Sequence, residues 1–136
     1  MMITSLGIIP FRKLKWKWQV LLIQHLNGKH WGFPKGRAEK TETAQEAAIR
    51  ELKEETGLYV EQFLSLEPFT ESYYDQGKAK IVNYFPAFVT GILKCQIDEI
   101  LQAKWFALDE AMKQISFPES QNVFKQARKH LDGYIT

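Results

Sequence analysis

Three glutamates crowd into one short stretch, Arg50-Glu51-Leu52-Lys53-Glu54-Glu55-Thr56-Gly57. Carboxylates that close repel one another, so they must be well solvated, take up protons or hold a cation. The surrounding residues predict a helix over 43–57. Thr43 followed by Glu46 is a capping box, in which each side chain satisfies the other's free backbone N–H. Gly57 suits the left-handed position just past a helix end, from which Leu58 can fold back onto Leu52. With Glu51 at zero and about 100° per residue, Glu55 falls at about +40° and Glu54 at about −60°. Ala44, Ala47 and Ala48 fall on the same stripe, a face of small residues suited to close packing on a sheet.

Arg50, four residues from both Glu46 and Glu54, can neutralise one side of the cluster. Two readings stay open on geometry alone, a surface ion-pair network and a metal site, and carboxylates beside a packed stripe favour the second. Clustered carboxylate oxygens are hard ligands that suit Mg²⁺ or Mn²⁺. Zinc is disfavoured, because His25, His30 and His130 are scattered and Cys95 is the single cysteine.

The elements that must hold this helix can be read from the rest of the chain. Residues 3–11 and 19–25 are predicted strands joined by a lysine-rich connection, Arg12 to Lys17. Residues 27–42, rich in glycine, read as a long loop, of the kind that is often functional. Aromatic and β-branched residues make 62–75 and 79–92 a predicted hairpin around Gln76-Gly77. Pro86 inside the second strand implies an edge position or a bulge, because it cannot donate to a ladder. A strand at 102–108, a short helix capped by Asp109 and a helix from Pro118 to Leu131 complete the pattern. Such an order predicts an α+β fold, with a mixed sheet between helices on both faces.

The length of 136 residues fits one domain, 1–136, and the net charge of +2 argues for neither a nucleic-acid nor a membrane partner. Single Cys95 cannot form an internal disulfide and reads as a packing residue, which points to a reducing compartment. No secretory leader is indicated, and no apolar run approaches the roughly 20 residues of a membrane span. A cytoplasmic monomer is the expectation.

Taken with the residues before it, the acidic helix completes a longer pattern. Gly36, five residues, Glu42, seven residues, then Arg50-Glu51-Leu52-x-Glu54-Glu55-x-Gly57-Leu58 resembles the Nudix box over 36–58. The resemblance implies the Nudix fold, an α/β/α sandwich, and hydrolysis of a nucleoside diphosphate linked to another group, with Mg²⁺ or Mn²⁺ as cofactor. By position it makes Glu51, Glu54 and Glu55 metal-binding carboxylates, with Gly36 offering its carbonyl. It gives Arg50 the task of orienting the glutamates and Glu42 that of tying the loop to the helix. Glu54 is the favoured base for the attacking water, since Glu51 and Glu55, one turn apart, form the more natural metal pair.

Residues outside the box bear on the substrate. His30-Trp31-Gly32-Phe33-Pro34-Lys35-Gly36 is similar to a segment of the asymmetric diadenosine tetraphosphate hydrolases. RNA 5′ pyrophosphohydrolases carry a related Trp-x-x-Pro-x-Gly. Tyr74 before the turn, Lys80, and Tyr84-Phe85 also resemble the hydrolases. The resemblance implies that Lys35, Lys80 and His30 face phosphate, that Tyr74 stacks on a base and that Tyr84 lies near the substrate. Phe117 stands where that group often has a tyrosine and could complete a sandwich around adenine. Each has a plainer alternative: solvated lysines, a surface histidine, and sheet packing for Tyr84 and Phe85. Asp98 and Glu99 could bring a further carboxylate to the metals or form a solvated turn. The substrate implied is a dinucleoside polyphosphate or another nucleotide, with no stable nucleic-acid partner and no membrane. RNA 5′ ends and nucleoside triphosphates are the alternatives.

Overall fold

The structure is a computed structural model that describes residues 2–96 and 98–134. Eight strands, β1 (Met2–Leu14), β2 (Lys17–His25), β3 (Trp31–Gly32), β4 (Lys35–Gly36), β5 (Tyr59–Phe63), β6 (Phe69–Asp75), β7 (Lys78–Thr90) and β8 (Ile100–Ala107), form one sheet. Its centre is the parallel pair β1 and β7, with Gly7 opposite Tyr84. Every other pairing is antiparallel. The mixed sheet expected from the sequence is present.

Helix α1 (Ala44–Thr56) covers one face. Ala47, Ala48 and Leu52 pack there against Leu6, Ile8, Leu21 and Phe85. Helices α2 (Leu108–Gln114) and α3 (Pro118–Arg128), with a closing 3₁₀ segment Lys129–Tyr134, cover the other. That second core is aromatic, with Phe11, Phe33, Tyr84 and Phe124 buried together. Alternation along the strands divides the residues between the two faces, so that Tyr84 and Phe85 point into different cores.

Four expectations change in detail. The segment 27–42 is not wholly irregular, because Trp31–Gly32 pairs with β2 and Lys35–Gly36 pairs with β1. The single strand expected at 62–75 is two strands, β5 and β6, which pair in succession along the same long β7. Pro68, without an N–H, and the Ser65 hydroxyl, which accepts from Glu67 N at 3.2 Å, turn the chain between them. Pro86 lies in an interior strand, β7, rather than at an edge. It falls between the partners of β6 and β5, where its carbonyl accepts from Leu64 N at 2.9 Å, so its missing donor meets the break. Asp109 does not cap α2: Ala107 holds the cap position without a side-chain bond, and Asp109 pairs with Arg128 at 3.1 Å.

Candidate active site

Helix α1 starts and stops as its local sequence dictates. Thr43 Oγ1 accepts from Glu46 N at 3.1 Å, and Glu46 Oε1 accepts from Thr43 N at 2.8 Å. Gly57 ends the helix at φ 76° and donates to Lys53 O at 2.8 Å. A residue with a Cβ would be strained at that angle.

Arg50 is the hub of the acidic cluster. Its Nε and Nη2 donate to both oxygens of Glu42, at 2.6 and 2.9 Å. Nη2 also donates to Arg37 O at 2.9 Å, Nη1 to Glu51 Oε1 at 3.0 Å, and Nη1 to Glu54 Oε2 at 3.2 Å. The partner expected four residues back, Glu46, is not taken, because the capping box already holds its carboxylate. Glu42 replaces it, and also accepts from Glu39 N at 2.8 Å, tying the loop to the helix. The Arg50 hydrogen bond holds the Glu42 carboxyl below its ordinary range, and the same contact strengthens the hold of Arg50 on its proton.

The three glutamates do not share one environment. Glu55 is 4% exposed, on the packed stripe, and accepts from Lys35 N at 3.1 Å. Burial first, and the Glu51 charge second, push its carboxyl up to about 8. Glu51 lies at the edge of the stripe, and burial raises its carboxyl despite Arg50. The charge of Glu99 opposes ionisation of both. Glu54 departs from the stripe assigned by the helical angles: its side chain is 51% exposed, held through Arg50.

The residues fit a bound divalent cation. Hard carboxylates stand on one turn of α1, the charge of Glu99 reaches two of them, Glu51 and Glu55, and burial opposes the ionisation of both. Gly36 lies against the Glu51 carboxylate, and a Cβ there would collide with it, so only glycine lets the backbone come this close. As placed, among the described residues, no three acidic, imidazole or thiolate groups are close enough together to enclose an ion.

On the side of the sheet that carries α3, a cavity of about 880 Å³ opens. All six residues expected to meet substrate, His30, Lys35, Tyr74, Lys80, Tyr84 and Phe117, line it. Asp98 and Glu99 line it too. Lys35 joins the two regions, for it lines the cavity while its backbone N–H holds Glu55. The His30 ring stacks on His25 at 4.3 Å and tilts against Phe117 at 5.1 Å. Burial, then the Lys35 charge, lowers the His30 imidazole below its ordinary range. Tyr74 is largely exposed at the rim and Phe117 half exposed.

Two residues have engagements the sequence did not predict. Lys80 is not a free cation: its Nζ pairs with Asp75 Oδ2 at 2.9 Å. Tyr84 is buried in the core, edge-on to Phe33 at 5.4 Å, and its hydroxyl hydrogen-bonds to Glu71. For Tyr84 the packing alternative therefore describes the ring, although it forms part of the cavity floor.

Sequence reasoning missed Glu71, His25, Tyr73 and Ser120, all in the cavity lining. Glu71 carried a signal, for it shares the inward face of a period-2 strand with Phe69 and Tyr73. A carboxylate on an apolar face needs partners, and here Ser120 Oγ donates to it at 2.8 Å. Burial raises its carboxyl, and Ser120, Tyr84 and the Lys35 charge partly offset that. His25 carried none: its burial arises from the loop folding back, with His25 N donating to His30 O at 2.9 Å. Burial holds its imidazole down at about 4.

The chain is also similar to known proteins over most of its length. A family profile for the NUDIX domain matches residues 4–127. The asymmetrical bis(5′-nucleosyl)-tetraphosphatase of Caenorhabditis elegans is 32% identical over 98% of this chain and all of its own length. A crystal structure of a C. elegans Ap4A hydrolase binary complex superposes with a TM-score of 0.88 at 30% identity, over 96% of this chain and 98% of that one. Similarity also extends to subunit 2 of the Arabidopsis thaliana mRNA-decapping enzyme, 35% identical over 65% of this chain but 24% of that protein. Metal dependence is typical of such proteins, and among the described residues no helix is long and apolar enough to cross a membrane. With its box at 36–58 on the loop and helix that carry the glutamates, the chain belongs to the Nudix hydrolase family.

Proposed function

We propose that this protein hydrolyses dinucleoside polyphosphates asymmetrically, cleaving diadenosine tetraphosphate to ATP and AMP with Mg²⁺, as one cytoplasmic domain. The observation that carries the reading is the position of Lys35. That residue lines a cavity with lysines and aromatic rings in its wall, and its backbone N–H ties that wall to Glu55 of the glutamate cluster. A substrate with phosphates between nucleosides needs both parts, a charge-neutralising centre and surfaces for a base. Near full-length similarity to a protein named for this activity supports it.

In this reading Glu51, Glu55 and the Gly36 carbonyl would hold Mg²⁺, with Glu99 of the cavity lining as a further carboxylate. Bound there, the ion supplies neutralisation of phosphate oxygens and an acidified water. Glu54, the most exposed of the three and steadied by Arg50, accepts the proton of the attacking water. The water oxygen forms the new bond to phosphorus, and the bridging P–O bond breaks. Lys35 offsets charge that develops on the phosphates, and His30 hydrogen-bonds to them. Lys80 reaches a phosphate by leaving Asp75. Tyr74 and Phe117 receive a base at the rim.

The rival reading, action on RNA 5′ ends, draws on the similarity to the decapping subunit. Offering the Mg²⁺-loaded protein dinucleoside polyphosphates, nucleoside triphosphates and triphosphorylated RNA in ¹⁸O-water separates the two. ATP plus AMP from the tetraphosphate is expected. Other products, or faster turnover of RNA, would overturn the proposal.

A further inference from the structure

The short run Ser116-Phe117-Pro118-Glu119-Ser120 is pinned at both ends by a serine hydroxyl. At one end Ser116 Oγ accepts from Trp31 N at 2.8 Å, while Ser116 N donates to Trp31 O at 3.1 Å. At the other, Ser120 Oγ donates to Glu71 Oε2 at 2.8 Å. Phe117 lies between the two anchors, as the cap residue of α3, and Pro118 in the first turn restricts the backbone beside it. Gln121 N donates to Phe117 O at 3.0 Å and secures the same turn from inside the helix.

The anchor at Glu71 is costly and specific. Glu71 and Ser120 are each 5% exposed, on faces whose other residues are largely apolar. Holding α3 on β6 by apolar contact alone would need neither group, and a buried carboxylate must recover the hydration it gives up. What a buried hydrogen bond adds to apolar packing is direction and register. Tyr84, from the centre of the sheet, fixes the carboxylate with its hydroxyl. A chain of contacts therefore runs from β7 through Glu71 to Ser120, and Ser120 sits one helical turn after the half-exposed ring of Phe117.

We propose that Glu71 is a positioning residue: by gripping Ser120 it sets the place of Phe117, and with it the preference of the cavity for a nucleoside over bare polyphosphate. The inference rests on the reading of Phe117 as one wall of the base site.

The test compares Mg²⁺-loaded protein binding ATP, which the proposed reaction releases, with its binding of inorganic tripolyphosphate, by calorimetry. Ser120→Ala lowers the preference for ATP by about 5-fold or more, the scale of one stacking contact. Tripolyphosphate affinity stays within about 2-fold, since no phosphate-facing group changes. Ser120→Thr, which keeps the hydroxyl, retains the preference. Phe117→Ala loses it to the same extent, and the double variant is no worse than Phe117→Ala, because both changes act through one ring. Additive losses, or an equal loss of tripolyphosphate affinity in Ser120→Ala, would overturn this inference and leave the base site standing. A Phe117→Ala protein with undiminished preference would overturn both. Glu71→Leu serves as a second variant, expected to match Ser120→Ala in its loss of ATP affinity, with its melting temperature followed to confirm folding.

Discussion

The glutamate cluster and the substrate cavity adjoin at Lys35, yet they are built in opposite ways. The cluster is local. Arg50, Glu51, Glu54 and Glu55 stand on two turns of one helix, and Glu42 adds a tie from the preceding loop. The cavity is assembled at a distance, from the loop after β2, from β6 and β7, from the turn at Glu99 and from the start of α3. Local construction holds charges at set spacings on a rigid element. Assembly from several elements gives a volume whose walls can change without disturbing the charges. Chemistry and selectivity should therefore separate under mutation.

The largest effect belongs to the cluster. Glu54→Gln keeps the hydrogen-bonding shape and removes the base, so kcat should fall about 10²–10⁴-fold, with nucleotide affinity nearly unchanged. Wild-type turnover in that variant would move the role to another glutamate. Arg50→Lys comes next, because an ammonium cannot bond both oxygens of Glu42 while reaching Glu51 and Glu54. A loss of about 10–100-fold in activity is expected, with a matching rise in the Mg²⁺ concentration needed for half-activity. On the cavity side, Phe117→Ala should raise KM for the tetraphosphate by about 10-fold and alter kcat little, which steady-state kinetics would show. A fall in kcat as large as that of Glu54→Gln would mean that the two regions are not separable.

A further effect, on folding rather than turnover, is read in stability. The Glu55 carboxyl, held up to about 8 by burial, keeps a proton that the unfolded chain releases near its ordinary value. In EDTA, folding stability should therefore fall as pH rises toward 8, by a few kcal/mol in all. Below about 6.5 the His25 imidazole, held at about 4, acts in the other direction and costs stability as pH falls. Denaturation between pH 6.5 and 8 reads the carboxyls that burial raises, and the Glu55 share is the part lost in Glu55→Gln. Mg²⁺ or Glu55→Gln should flatten the slope, and an unchanged slope in Glu55→Gln would place its origin elsewhere.

The helix and the identity of its carboxylates were legible in the sequence because the signals are short-range. Capping box, terminal glycine and helical period all lie within residues 43–58, and each was observed. β3 and β4 lay inside a segment that reads as a loop, whereas the longer strands were legible as strands. Their division was not, since whether 62–75 forms one strand or two depends on what the length of β7 offers as partner. Glu54 shows the limit of angular reasoning: the helical wheel put all three glutamates on one stripe, and the sheet covers only part of that stripe. Glu55 ends buried, Glu51 at the edge and Glu54 half exposed.

Tertiary structure alone decided three further matters. It gave Arg50 to Glu42 rather than Glu46, because the helix cap had already engaged Glu46. It pulled Tyr84 into the core and bound its hydroxyl to Glu71, a carboxylate that strand alternation marks as inward-facing but whose partners only packing supplies. It also brought Ser120 across to that carboxylate. Local sequence dictated the chemistry of a helix, since backbone geometry repeats every few residues and fixes which side chains are neighbours. What surrounds a substrate depended on packing between segments far apart in the chain, where burial and pairing are properties of the whole sheet.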